Sequence, residues 1–408
     1  MLIGLLPIFV HEFRNNVRLM LAYWFVIALH QAVAFTNAFL FTTLGADKDA
    51  RTFHIAGVAL SQSKNFYLTT GGRLYDNMLG VVYWLFGPFE LLGSQFSILA
   101  FAISCFVLVK IVGLIDLSRY KVSIILAFGA LPSMVFLGSV TLRESYQVLF
   151  FMLTTYWGIK MHMKESIKIY GVLMVLSALA MGVLHKGLWM YNIVLIILFM
   201  MWTHHVTSSW LSIKKRHLQA VLFALVTLGG IIVLTKLLNV DLGVVSYLVN
   251  MDLWEEVIST QNRSKSVMSR ATYDIALDLS SPFTTAYSSF LLYMHYLFAP
   301  FPWKISNILD VGASIESILR MVLIYFSVKH WRQAHGVQRR LLWLMLILFF
   351  SMSFMWAMGT TNYGTAIRHN MLTWWILVIV GVPSLMRSLS RFRLGVYPRR
   401  YWYLYKTD

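Results

Sequence analysis

Five short stretches of this chain gather side chains able to move protons or hold anions. The first reads Gly45-Ala46-Asp47-Lys48-Asp49-Ala50-Arg51-Thr52-Phe53-His54. Two carboxylates two residues apart could hold a divalent cation against a phosphate, or take a proton from an acceptor hydroxyl. His54, five residues beyond Asp49, could orient one of them. The plain alternative is a solvated loop start whose charges mark a membrane boundary. The second stretch, Gly71-Gly72-Arg73-Leu74-Tyr75-Asp76-Asn77-Met78, offers Arg73 as a substrate-binding cation.

Arg143-Glu144 follows Leu131-Pro132-Ser133 and Thr141-Leu142 in a turn between two apolar runs. Charges at a membrane edge are costly unless paired or facing water. Arg143 could grip a phosphate in bidentate fashion, or simply pair with Glu144 and cap the next helix. His185-Lys186 has the same choice between holding a diphosphate and reaching for lipid headgroups. The last stretch, Gly359-Thr360-Thr361-Asn362-Tyr363-Gly364-Thr365-Ala366-Ile367-Arg368-His369-Asn370, brings Arg368 and His369 to the start of an apolar run. Its glycines permit a close backbone approach, as an anion site requires.

These stretches are punctuation in a very apolar text. Of 408 residues, 58% are hydrophobic and 12% charged, about half the charged share of a soluble globular chain. The composition predicts an all-α polytopic membrane protein, because a lipid-facing surface needs few charges. About 20 apolar residues make a span. Ten candidates satisfy this: 19–44, 91–115, 122–138, 145–161, 169–184, 188–203, 218–237, 313–328, 341–358 and 371–387. A further apolar piece, 286–300, runs into Pro300-Phe301-Pro302-Trp303 and is read as re-entrant or interfacial. Residues 2–13 read as an interfacial helix within a cytoplasmic segment 1–18. The segment 45–90 is the first outer loop, carrying an amphipathic helix over its second half. Residues 238–312 form the long outer loop, and 388–408 a basic cytoplasmic tail. No composition break divides the chain, so one transmembrane domain is expected.

Charge orients the scheme. Lys and Arg concentrate in the segments placed inside, namely 1–18, 116–121, 160–168, 204–217, 329–340 and 387–408, which puts both termini in the cytoplasm. Asp47, Asp49, Asp76, Glu90, Glu144, Asp241, Asp252, Glu255, Glu256, Asp274 and Asp278 all fall outside. The reactive groups therefore share one face. Arg320, inside a span, is expected to pair with Glu316 one turn earlier.

Several classes find no support. The net charge of +17 sits in short clusters between spans rather than on a polar domain, so nucleic acid is not an expected partner. Cys105 is the single cysteine, which leaves no disulfide framework and no thiolate metal site. Arg14 and Arg18 follow the first apolar residues instead of preceding them, unlike a cleavable secretory signal. The phosphate-loop, nucleophile-elbow, zinc-protease and dinucleotide-binding motifs are missing. Asn262-Arg263-Ser264 satisfies the glycosylation pattern.

The order of features carries a resemblance. An acidic loop follows the first span, then an amphipathic stretch ending Leu85-Phe86-Gly87, then the Pro-Ser…Arg-Glu turn at 132–144. Pro300-Phe301-Pro302-Trp303 and Asn362-Tyr363-Gly364-Thr365-Ala366-Ile367-Arg368-His369 complete it. This resembles the bacterial membrane proteins of surface-polysaccharide loci related to GT-C glycosyltransferases and oligosaccharide-unit (O-antigen-type) polymerases. The resemblance implies a GT-C-like bundle in the inner membrane that uses a polyprenyl-phosphate-linked sugar on its outer face. It also implies exopolysaccharide, capsule or O-antigen synthesis, in the company of other polysaccharide-assembly proteins. Asp47 or Asp49 would then be the acidic catalytic residue. Arg143 and Arg368, with Lys186, would hold the diphosphate, and His54, Arg73, Glu144, His185 and His369 would line the substrate. No cofactor is implied beyond a divalent cation at Asp47 and Asp49. The chain departs from the pattern in lacking a large soluble C-terminal domain. Two rival expectations remain: a transporter or flippase for the lipid-linked sugar, and a non-catalytic subunit of an export complex docked through the basic tail.

Overall fold

The computed structural model describes residues 2–67, 69–163, 167–202, 259, 261–262, 271–273 and 275–395. Its described part is helical, with one isolated β-bridge between Thr272 and Asn362. In chain order the helices are α1 (Val17–Phe39), α2 (Arg51–Ser63), α3 (Gly72–Phe86), α4 (Glu90–Leu114), α5 (Lys121–Gly129), α6 (Pro132–Gly138) and α7 (Glu144–His162). They continue with α8 (Ile167–Leu184), α9 (Leu188–Trp202), α10 (Pro282–Phe298), α11 (Ile308–Gln333), α12 (Gly336–Gly359) and α13 (Tyr363–Gly395). The expected span 218–237, the acids at 241, 252, 255, 256 and 274, the glycosylation pattern and the tail beyond 395 lie outside the described residues.

Among the described residues, five helices are long and apolar enough to cross a membrane: Val17–Phe39, Glu90–Leu114, Asp310–Gln333, Gly336–Gly359 and Tyr363–Ser390. At 1.5 Å per residue, the 25 residues of α4 reach about 37 Å, more than the roughly 30 Å of a hydrocarbon core. The chain is a multi-pass, all-α membrane protein by these helices. Counting the bent pair Ser118–Gly129 and Pro132–Gly138 as one span raises the number among the described residues to six.

The third expected span, 122–138, breaks into α5 and α6, which are bent by 63°. Pro132 lacks an N–H and drives Leu131 to extended dihedrals (φ −60°, ψ 129°), so the helix stops and restarts. Glu316 of α11 accepts a hydrogen bond from the Ser133 N–H at this restart. It is not ion-paired with Arg320, contrary to expectation. The Arg320 guanidinium donates to the Leu297 carbonyl at 2.6 Å and lies 4.8 Å from the centroid of the Trp374 ring.

Three other expectations change. Residues 2–14 form three short turns instead of one surface helix, tied to α1 by hydrogen bonds from Tyr23 Oη to the Ile3 carbonyl and from Trp24 Nε1 to the Gly4 carbonyl. The segment 45–90 holds two helices, α2 and α3, packed as a hairpin. Tyr75, Leu79 and Tyr83 are buried in it, while Trp84, Leu85 and Phe86 are exposed. Residues 286–298 of the piece 286–300 lie in a regular helix, α10, opened by a capping box in which Ser281 and Thr284 satisfy each other's backbone N–H groups.

One main core runs from Ile3 to Val382. Helices α1 and α4 are cross-linked by a reciprocal pair, Gln31 Nε2 to Gln95 Oε1 at 2.8 Å and Gln95 Nε2 to Gln31 Oε1 at 2.7 Å. Where α1 meets α5, a β-carbon on Gly129 would fall 2.1 Å from Val26. Only glycine permits that approach.

Candidate functional site

At one end of the bundle the loop after α1, the α2–α3 hairpin, the α6–α7 turn, the α8–α9 turn and the start of α13 converge. The loop after α1 turns at Gly45, whose φ is +82° and whose missing Cβ would collide with Leu137. A single π-helical turn follows, Ala46–Ala50. Ala46 and Ala50 pack into a small separate core with Val140 and Leu142, which leaves Asp47, Lys48 and Asp49 facing outward. Ser97 of α4 fixes the next segment: its hydroxyl donates to the Leu142 carbonyl at 3.0 Å and accepts from the Leu142 N–H. Tyr75 of α3 hydrogen-bonds the same hydroxyl. Arg143 is therefore held at the N-cap of α7, with Glu144 in its first turn, where the helix dipole favours an acid.

The charges then meet across the fold. Arg368 Nε donates to Glu144 Oε1 at 2.7 Å, and Nη2 lies 2.6 Å from the same oxygen. Its Nη1 donates to Asp49. The side chain of Glu144 is 2% exposed and that of Asp49 58% exposed, with Arg368 between them at 19%. Arg143 Nη1 donates to the Leu184 carbonyl at 3.1 Å, and its Nε stands 3.9 Å from Glu144 Oε1. That Nε is buried without a hydrogen-bond partner. Arg143 and Glu144 thus form only a loose contact, and Arg368 is the close partner of Glu144.

The turn 185–187 joins from the side. The Gly71 N–H donates to the Val183 carbonyl at 2.7 Å, bringing the start of α3 against the end of α8. A β-carbon on Gly72 would lie 3.5 Å from Arg143 Nη1, and one on Gly71 3.9 Å from Lys186 Cγ. The His185 ring meets Trp356 edge-on, and Trp356 stacks on His369 at 3.8 Å between centroids. His369 Nδ1 is hydrogen-bonded to the Thr360 hydroxyl. Burial pushes the His185 imidazole well below its usual range, and Arg143, His369 and Arg368 add to that shift. His185 is neutral, so Lys186 is the cation of that pair.

Two candidates from the sequence take other places. His54 is hydrogen-bonded to the Tyr83 hydroxyl at 2.8 Å and orients neither aspartate. Burial lowers its pKa, against the pull of Glu90. Asp47 is exposed and makes no hydrogen bond or ion pair with the described residues. With Asp49 given to Arg368, the two carboxylates do not present a joint donor set for a cation. Among the described residues no three of His, Cys, Asp and Glu gather as metal ligands.

Asp76 is the residue that sequence reasoning passed over. It lies four residues beyond Gly72 in α3 and so shares the helical face that meets Arg143. Its Oδ1 is buried without a partner. Burial raises its carboxyl to about 6, outweighing the opposing pull of Arg143 and exposed Arg73. The i, i+4 spacing from the Gly71-Gly72 pair was a signal for it.

The chain matches no protein-family model, no curated protein and no solved structure.

Proposed function

We propose that this chain is a glycosyltransferase or polymerase that uses polyprenyl-phosphate-linked sugars in the assembly of a bacterial surface polysaccharide, acting at the non-cytoplasmic face of the inner membrane. The observation that carries the reading is the convergence of Asp49, Arg143, Glu144 and Arg368 at one end of an apolar bundle, across as many as 319 residues of sequence. Fixed cations at the rim of a lipid-embedded site suit a donor that has an apolar tail and a diphosphate head.

In this reading the acceptor hydroxyl attacks the anomeric carbon while the bond to the diphosphate oxygen breaks. Charge grows on the departing diphosphate, and Arg143, Lys186 and Arg368 stabilise it, the term expected to dominate such transfers. The hydroxyl proton goes to a carboxylate. Asp49 is engaged by Arg368, and Asp47 stands in open water with nothing to orient it. Asp76 is held on the Arg143 face, and its raised pKa makes it the stronger base near neutral pH. The base thus moves from the first acidic pair to the hairpin.

The test is purified protein in nanodiscs with a lipid-diphosphate sugar and an acceptor glycan. New glycosidic product is expected, and its loss in Asp76→Asn and Arg143→Ala. Passage of the lipid-linked sugar across a sealed bilayer with no new bond formed would replace this reading with the transporter.

A further inference from the structure

We infer that Asp49 is a stand-in for the diphosphate that Arg143 and Arg368 cradle in the proposed reading, and that it is released when that ligand binds. The inference rests on the proposed reading and assigns the three charges different roles. Glu144 is buried and takes two nitrogens of Arg368, whereas Asp49 takes only Nη1 from the solvent side. A buried partner of this kind is hard to remove without leaving an uncompensated charge. An exposed one contributes little and exchanges readily.

Asp49 meets Arg368 Nη1 from the solvent side, so its carboxylate covers the outward face of that guanidinium, where an incoming anion would arrive. Two observations point to a ligand there. Arg143 Nε is buried without a hydrogen-bond partner, a donor left for an acceptor that the described residues do not supply. The start of α3 at Gly71-Gly72 lies against Arg143 and Lys186, and a helix N-terminus with glycines admits a phosphate closely. The cations Arg143, Lys186 and Arg368 are balanced in number by the acids Asp49, Asp76 and Glu144. Turning Asp49 out to water leaves a net cation facing an incoming anion.

One variant tests the stand-in directly. Inorganic pyrophosphate is titrated calorimetrically into the full chain in phosphatidylcholine nanodiscs. Asp49→Asn should bind it more tightly than the parent by roughly two- to fivefold, the size expected for removing a competing exposed ion pair. Arg143→Met should lose binding by roughly a hundredfold. Thermal unfolding of each variant confirms that it is folded. Unchanged or weaker binding by Asp49→Asn overturns the stand-in while leaving the transferase reading intact. Sugar transfer by a parent protein that does not bind pyrophosphate overturns the cradle alone. Repeating the titration in phosphatidylglycerol nanodiscs separates the two sources of phosphate. Equal affinity supports a diphosphate ligand, and lost affinity assigns the cradle to ordinary phospholipid headgroups and overturns the proposal.

Discussion

Arg368 with Glu144 and Arg320 with Glu316 are the same two residue types, one pair at the end of the bundle and the other inside it. Inside, every close partner belongs to the fold. Arg320 donates to the Leu297 carbonyl and lies against the Trp374 face, and Glu316 receives the Ser133 N–H where α6 restarts after Pro132, while Arg320 Nη2 and Glu316 Oε2 stay buried without hydrogen-bond partners. At the end, Glu144 anchors Arg368 from below while Asp49 meets it from water. Residue type does not separate structural charge from functional charge here. Access does, because only a charge with one side open can exchange its partner for a ligand.

The comparison breaks most sharply at Glu316. Replacing it with Ala removes the acceptor for the buried Ser133 N–H, a loss of about 1–3 kcal/mol. The thermal unfolding midpoint in detergent should fall steeply, with Glu316→Gln recovering part of it. A neutral Glu316→Ala would erase the distinction between the two clusters.

At the open end the largest effect belongs to catalysis. Arg143→Ala should slow sugar transfer by about 10²–10³, the usual cost of removing one group that stabilises transition-state charge. Its loss of stability should be well below that of Glu316→Ala. If both variants lost stability alike, the end cluster would also be structural.

Asp76 sharpens the contrast through pH. Transfer should rise as pH climbs through about 6, since the base works ionised and burial raises its carboxyl to that value. Asp76→Asn should abolish the rise. The stability effect has the opposite sign. A carboxyl whose folded pKa is raised supports the fold below its unfolded value, near 3.8, and loses that support as pH passes 6. Asp76→Asn should therefore melt higher than the parent at pH above 6, with the gap closing in acid. An inactive variant that is more stable is the mark of a strained functional group.

The smallest effect is expected at His54. Removing its partner hydroxyl in Tyr83→Phe should cost about 1 kcal/mol of stability and leave transfer unchanged. Lost transfer in either His54→Phe or Tyr83→Phe would return His54 to the site.

Much of the scaffold was legible because its signal is local. Runs near 91–115 and 341–358 are predominantly apolar, so composition and length alone delimit α4 and α12 to within a few residues. The break at 129–132 was also written locally, in Gly129 and Pro132, but apolar composition across both halves hid it. The capping box at Ser281 and Thr284 likewise gave α10 a regular start that hydropathy does not report. The site was legible as an inventory only. Asp49, Arg143, Glu144, Lys186 and Arg368 were all named from type and position, yet their pairing was not. Asp76 was missed because its burial depends on how α3 packs.

The chain's own residues determined that it must be a helical membrane protein, because a surface with this few charges cannot face water. They also determined which ends of the helices carry the reactive groups. Only the tertiary structure decided that Arg368 holds Glu144 and Asp49, that Glu316 serves α6 instead of Arg320, and that His54 turns to Tyr83. Those choices follow from distances set by helix packing across hundreds of residues. An electrostatic contact falls away within a few ångströms in a way that sequence separation does not record.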